Sequence, residues 1–223
     1  MSALSLLQLV SPALPVGAFS YSEGLEVIVQ AGTLNDAQGV ECWLASELER
    51  GAVRLEAAAL QTLSADLKAW TLEGDQAARG SVLELDGWLI ATREAVEMRS
   101  QQRQMGGSLV ELIAEMGYRL PEPVVLAWPA AWAWAALSLK VSEQEMVEGY
   151  LYGWVANQLS AAVRLVPLGP TRAQVLQQRL LPLIQSQAHH LFVQDPGQLW
   201  SSGVGASMAQ LAHAELYSRL FRS

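Results

Sequence analysis

A single cysteine, Cys42, stands among the 223 residues. No internal disulfide can form, so the reducing cytoplasm is the expected setting. Its neighbours, Glu-Cys-Trp-Leu, read as helical and half apolar, which predicts a buried, inert thiol. Charge is also scarce: 16% of residues are charged, and the 14 basic ones are outnumbered by 22 acidic ones. The formal net charge of -8 and the lack of any Lys/Arg run exclude the basic stripe that nucleic acid requires. The stretch from Met1 to Ser20 holds no Lys or Arg and is broken by Pro12 and Pro15, so it does not read as a secretory signal. The longest uncharged apolar run, Pro123 to Leu139, falls short of a membrane span and contains Pro129. It predicts a buried core helix, with no membrane partner. Strand signals are few. Alternating Val/Ile/Thr runs are absent, and Asp86-Gly87 falls inside a helical stretch rather than between strands.

Catalytic signatures are missing too. There is no Walker A sequence, no nucleophile elbow and no His-Glu-x-x-His. Gly203-Val204-Gly205 is a fragment of a dinucleotide fingerprint with no strand before it. The three histidines are His189, His190 and His213. Adjacent helical residues diverge by roughly 100°, so His189 and His190 cannot share a metal, and His213 reads as structural or solvated. Glu94 with Glu97, and Glu111 with Glu115, share helix faces. Arg93, Arg99, Arg103 and Arg119 lie nearby, which predicts surface ion pairs. No catalytic residue, metal ligand or cofactor is nominated, and a binding role is favoured over an enzyme.

What is present is apolar and helical. Hydrophobic residues make up 51% of the chain and include eight Trp, most of them expected in the core. Ser142-Glu-Gln-Glu145 is a capping box before a long apolar face running from Met146 to Val166 and ended by Pro167 and Gly169. Thr171 to Gln174 reads as a second capping box, with Pro182 kinking or ending that helix. Asn35-Asp36 opens a helix that runs to Gly51. Further helices are expected over 53–68, 75–91, 92–116, 124–139 and 205–219. Loops are expected over 10–21, 117–123, 167–170 and 194–205, the last being the most mobile. The expected fold is an all-α, single-domain bundle of roughly eight to ten helices spanning residues 1–223.

Three segments carry more specification than their surroundings require. In Leu14 to Glu26, Pro15 and Gly17 shape a turn, Phe19 and Tyr21 are large, and Ser22 can cap a following helix. In Arg164 to Gly169, a cation sits at a helix C-terminus, where free carbonyls favour it. Tyr217-Ser218-Arg219-Leu220-Phe221-Arg222-Ser223 places aromatic and aliphatic residues among arginines, a composition of interface hot spots. Such a tail must dock, and its own body and a second chain are equally open as the dock.

These segments also carry a family resemblance. Leu6 to Leu9 followed by Pro12 to Glu26 resembles the N-terminal signature of the urease accessory protein UreF family. Thr92-Arg93-Glu94 with Arg103 to Gly106 is similar to that family's central helix. Ala162 to Gly169 resembles its basic-Leu-Val-Pro-x-Gly stretch, and His213 with Tyr217 to Ser223 its C-terminal signature. Two positions depart from the pattern: Ala18 replaces a usual second glycine, so its turn must avoid a glycine-only conformation, and Pro170 replaces a common Gln. The resemblance implies an all-helical, non-catalytic homodimer. It implies a scaffold that binds a UreD/UreH-type accessory protein and recruits or regulates a UreG-type GTPase while nickel is inserted into apo-urease. By the same resemblance, Tyr217, Arg219, Leu220, Phe221 and Arg222 would meet the UreD/UreH-type partner. Arg164, Pro167, Gly169, Phe19, Tyr21 and Glu23 would build adjoining partner-facing surface. Two competing readings are an all-helical small-ligand enzyme, its pocket lined by Trp128, Trp132, Trp134, Glu94 and Glu97, and a helical adaptor unrelated to urease.

Overall fold

The computed structural model describes residues 3–223, leaving Met1 and Ser2 outside. Among the described residues there are ten α-helices and no strand. The helices are α1 (Ala3–Leu9), α2 (Leu25–Gln30), α3 (Ala37–Arg50), α4 (Val53–Glu73), α5 (Gln76–Ala91), α6 (Val96–Glu115), α7 (Trp128–Ser138), α8 (Glu143–Leu165), α9 (Pro170–Phe192) and α10 (Val204–Ala212). Short 3₁₀ turns occupy Ala18–Ser20, Pro196–Gln198 and His213–Glu215. No described helix is long and apolar enough to cross a membrane.

Local chemistry starts several helices. The Asp36 carboxylate accepts from the Gly39 amide at 2.8 Å and opens α3. Asp75 does the same for Ala77 and Ala78 at the start of α5. The Ser142–Glu145 capping box forms in both directions, at 3.3 and 3.2 Å. Each such cap stabilises its helix by about 1 kcal/mol.

Packing centres on α4, which lies against α3, α5, α7, α8 and α9. Its consecutive Ala57, Ala58 and Ala59 are all buried, so neighbouring backbones can approach closely. The apolar run identified in the sequence becomes α7, buried on nearly all sides. That is why it has no polar face: a helix surrounded by protein needs none. Trp132 in α7 donates its indole N–H to the Met146 carbonyl at 3.1 Å and meets Tyr150 edge-on. The start of α7 is fixed from outside. The buried Asp86 accepts from the Ala127 amide at 2.8 Å and pairs with Arg103. Burial pushes the Asp86 carboxyl up, against the pull of those two donors. Gly106 sits where any Cβ would strike the backbone of Leu126 and Ala127, so α6 can press on this segment only without a side chain there.

Several expectations need correction. Helix α9 runs through Pro182 to Phe192. Pro182 faces solvent while Leu180, Ile184, Ala188 and Leu191 continue the buried stripe, and that burial outweighs the lost backbone hydrogen bond. Thr171 is not a cap: Gly169 is the N-cap residue and Pro170 occupies the first turn, where its fixed φ suits a helix. The helix expected over 124–139 starts only at Trp128, with Pro129 in its first turn. The helix expected over 205–219 stops at Ala212, because the chain beyond is drawn back onto the body. Cys42 is exposed, on the outer face of α3. Of the eight Trp, only Trp70, Trp132 and Trp134 are fully buried, while Trp88 and Trp200 are exposed.

Candidate partner-binding site

The N-terminal segment folds into a tight, irregular turn. Gly17 takes the left-handed conformation at φ 74°, and Ala18 begins the 3₁₀ turn without one, as its side chain requires. Two further left-handed residues follow, Glu23 at φ 53° and Gly24 at φ 89°. For Gly24 the reason is contact as well as φ: a Cβ there would lie 2.9 Å from the Gln210 nitrogen of α10. Glu23 carries a side chain in this region, a strain of order 1 kcal/mol.

The segment 216–223 packs into this turn. The carbonyl oxygen of Ser223 accepts from the Ser22 amide at 2.8 Å, the Glu23 amide at 3.1 Å and the Ser22 hydroxyl at 2.7 Å. The Ser22 oxygen also accepts from the Glu26 amide at 3.4 Å, the capping role its sequence position suggests. The Ser223 hydroxyl donates to Gln101 at 2.6 Å. Glu26, at the start of α2, accepts the backbone amides of Leu220 at 2.7 Å and Phe221 at 3.0 Å. His213 is wholly buried between two carboxylates, Nδ1 at 2.7 Å from Glu97 and Nε2 at 3.3 Å from Glu26. Arg219 donates to Glu97 at 2.6 Å. Phe221 is buried, and Arg164 lies over its ring at 4.4 Å from the centroid. That guanidinium also donates to the Phe19 carbonyl at 3.2 Å, so it ties the tail to the turn rather than serving its own helix end.

Beneath the turn is a buried polar cluster. Glu56 of α4 accepts from Arg93 through both Nε and Nη2, from Gln102 at 3.0 Å and from Tyr150 at 2.7 Å. Burial would lower the Arg93 guanidinium, but Glu56 and Glu23 hold it above its ordinary value. Burial, then Glu56, pushes the Tyr150 hydroxyl well up. Glu23 accepts from Gln101 at 2.7 Å and Trp154 at 3.0 Å, and burial pushes its carboxyl up. Glu47 is pushed up to about 7, chiefly by burial.

The structure therefore gathers Phe19, Tyr21, Glu23, Arg164, Arg219, Leu220, Phe221 and Arg222 into one region. Tyr21 is buried, its hydroxyl donating to Gln104 at 3.0 Å, and the Arg222 amide bonds the Ser20 carbonyl at 2.9 Å. Phe19, Tyr217, Leu220 and Arg222 face solvent, Tyr217 completely. Pro167 and Gly169 stay on the exposed turn before α9, and none of the hydrogen bonds joining turn and tail involves them. Sequence reading passed over Gln101 and Glu56, and gave no role to Glu26 although it closes a conspicuous segment. Arg93, expected in a surface pair, is buried, and Glu97 pairs with the tail instead of with its own helix. The pocket expected around Trp128, Trp132, Trp134, Glu94 and Glu97 does not assemble: Trp128 and Trp132 line a cavity that the other three do not, Glu94 is exposed, and Glu97 of α6 pairs with Arg219 of the tail. Among the described residues no group of three His, Cys, Asp or Glu is placed to hold a metal ion.

Turn and tail carry part of the family resemblance, together with Thr92–Glu94, Arg103–Gly106 and Ala162–Gly169, and comparison with known sequences decides membership. The UreF family model matches residues 34–181. The chain belongs to the UreF family. It is 39% identical to the urease accessory protein UreF of Prochlorococcus marinus strain MIT 9215, over 96% of each chain. It is 36% identical to the UreF proteins of Thermosynechococcus vestitus and of Synechocystis sp., over 99% of this chain and 97% of theirs. Family membership sets aside the reading of an adaptor unrelated to urease.

Proposed function

We propose that this chain is a non-catalytic scaffold of urease maturation in the cytoplasm. As a homodimer, it binds a UreD/UreH-type accessory protein and recruits or regulates a UreG-type GTPase for nickel insertion into apo-urease. Full-length similarity to urease accessory proteins supports the role. One structural observation supports the tail as the partner surface. Buried anchors (Phe221, Ser223 and His213) fix the segment to the body, while Tyr217 and Leu220 stand out in solvent. A preordered surface binds without the entropy of ordering a loose segment, and exposed aromatic and aliphatic side chains beside Arg219 have hot-spot chemistry. Arg164, Phe19 and the Pro167–Gly169 turn would extend that surface.

Removal of the tail would also strip contacts from the body, so a surface variant gives the cleaner test. Size-exclusion chromatography with light scattering is run on the chain mixed with a UreD/UreH-type protein. The intact chain forms a stable complex, and the double variant Tyr217→Ala, Leu220→Ala weakens it at least tenfold while staying folded and dimeric. Equal binding by the variant removes the tail from the interface. No complex from well-folded intact proteins overturns the scaffold reading.

A further inference from the structure

Glu47 of α3 is only 9% exposed, yet among the described residues none donates a hydrogen bond to its carboxylate. Glu23, which lines the same small cleft, accepts from Gln101 and Trp154. The Glu47 carboxylate is held between two glycines. A side chain at Gly51 would strike it, and a Cβ on Gly203 would lie 3.3 and 3.4 Å from its two oxygens. The cleft beside it measures about 10 Å³. That volume admits at most about one water, far from the shell that an ionised carboxylate requires.

The walls around Glu47 differ in how firmly they are held. Helices α3, α4 and α8 are long and pack against one another. Gly203 belongs instead to an irregular strap, 199–203, between the 3₁₀ turn Pro196–Gln198 and α10. The buried Pro196 and Ala206 anchor its two ends, and Leu199 is half-buried against the core. Between those anchors, among the described residues, one hydrogen bond joins the strap to the rest of the body, from the Ser202 amide to the Arg50 carbonyl at 2.9 Å. Trp200, Ser201 and Ser202 lie exposed. The strap is therefore the wall that gives way when the carboxylate needs water.

We propose that 199–203 is a proton-gated flap: with Glu47 protonated the strap lies closed over it, and loss of that proton lifts the strap and admits water to the cleft. The charged groups facing Glu47 are Arg93, Glu23 and, on its own helix, Arg50. Arg93 attracts the carboxylate but is already held by Glu56 through Nε and Nη2. Helices α4, α8 and α10 present only uncharged side chains to the cleft. Burial is the chief cause that raises the Glu47 carboxyl from 4.5 to about 7. The closed form keeps a proton that a hydrated form releases, so rising pH favours opening. This device stands apart from the partners proposed above.

The test is amide hydrogen exchange, followed by NMR on the full chain and corrected for the intrinsic effect of pH on exchange. The Ser202 amide reports the strap, and the Leu151 amide, in the buried middle of α8, reports global opening. Ser202 opens at least roughly a hundredfold more often than Leu151, as a local motion must. Its opening constant rises roughly 25-fold between about pH 5.5 and 8, the change expected of one carboxyl that goes from about 7 when closed to 4.5 when hydrated. Glu47→Gln and Glu47→Met, two neutral replacements, hold that rise below about twofold. A rise under about threefold in the intact chain, an undiminished rise in both variants, or Ser202 opening no more often than Leu151 would each overturn the proposal.

Discussion

Glu56 and Glu26 each gather several donors, but from different kinds of neighbour. Glu56 draws only on side chains: Gln102 of α6, Tyr150 of α8, and Arg93 from the turn between α5 and α6. Glu26 meets two backbone amides and one imidazole from a segment at the edge of the molecule, and accepts from Gln30 of its own helix. The first centre is buried, with Glu56, Gln102 and Tyr150 all under 5% exposed. The second, with Glu97 beside it, is half open to water through Arg219. A buried charge with fixed partners holds helices together, whereas a carboxylate that grips backbone amides can hold a segment in one place and still let it go. The comparison separates a stability centre from a docking centre only a short distance along the chain from it.

The widest gap between the two should appear when each is broken. Arg93→Met leaves Glu56 buried without its cation and lowers global stability by about 3–5 kcal/mol, read by urea denaturation. Glu47 sharpens the picture through pH. Its carboxyl is raised from 4.5 to about 7 in the folded chain, chiefly by burial, so the folded state holds a proton that the unfolded chain releases. The stabilisation is fully present below the unfolded value and is lost as pH rises through about 7. Glu47→Gln has nothing to titrate. It gains roughly 3 kcal/mol over the parent at pH 8 and little at pH 4. A parent whose melting temperature stays flat between those pH values would refute this.

At the docking centre the effect is local. Phe221→Ala removes the ring beneath Arg164, and trypsin cleavage at Arg219 and Arg222 speeds up about tenfold, a population shift of ~1.4 kcal/mol. Global unfolding moves far less than with Arg93→Met. Smallest of all, Tyr217→Ala leaves stability within ~0.5 kcal/mol, because its side chain touches water alone. A larger loss would mean the tail surface belongs to the core.

The helices of the interior were legible because their signals are local: the Ser142 box, the Asp36 and Asp75 caps, and the unbroken apolar composition of α7. Pro182 misled because a local penalty was set against a stripe of burial that only the packed bundle reveals. The docking centre was half legible. Tail and turn were each conspicuous, yet nothing in the spacing of Glu26, Glu97 and His213 announces that they meet across 116 to 187 residues. Glu97 beside Arg93 and Arg99 has the look of ordinary helix-surface charge, and only tertiary contact assigns it to Arg219.

The bond between Ser22 and Ser223 spans 201 residues. A ribosome delivers the turn early and the segment that completes it only after every intervening helix has emerged. Loops that long close last, since their ends meet only when the rest of the chain has shortened the path. Until then the left-handed conformations of Glu23 and Gly24 lack the Ser223 contacts that accompany them in the folded chain. The surface we assign to partners is therefore withheld until synthesis of this whole stretch is finished, so that an incomplete chain does not display it.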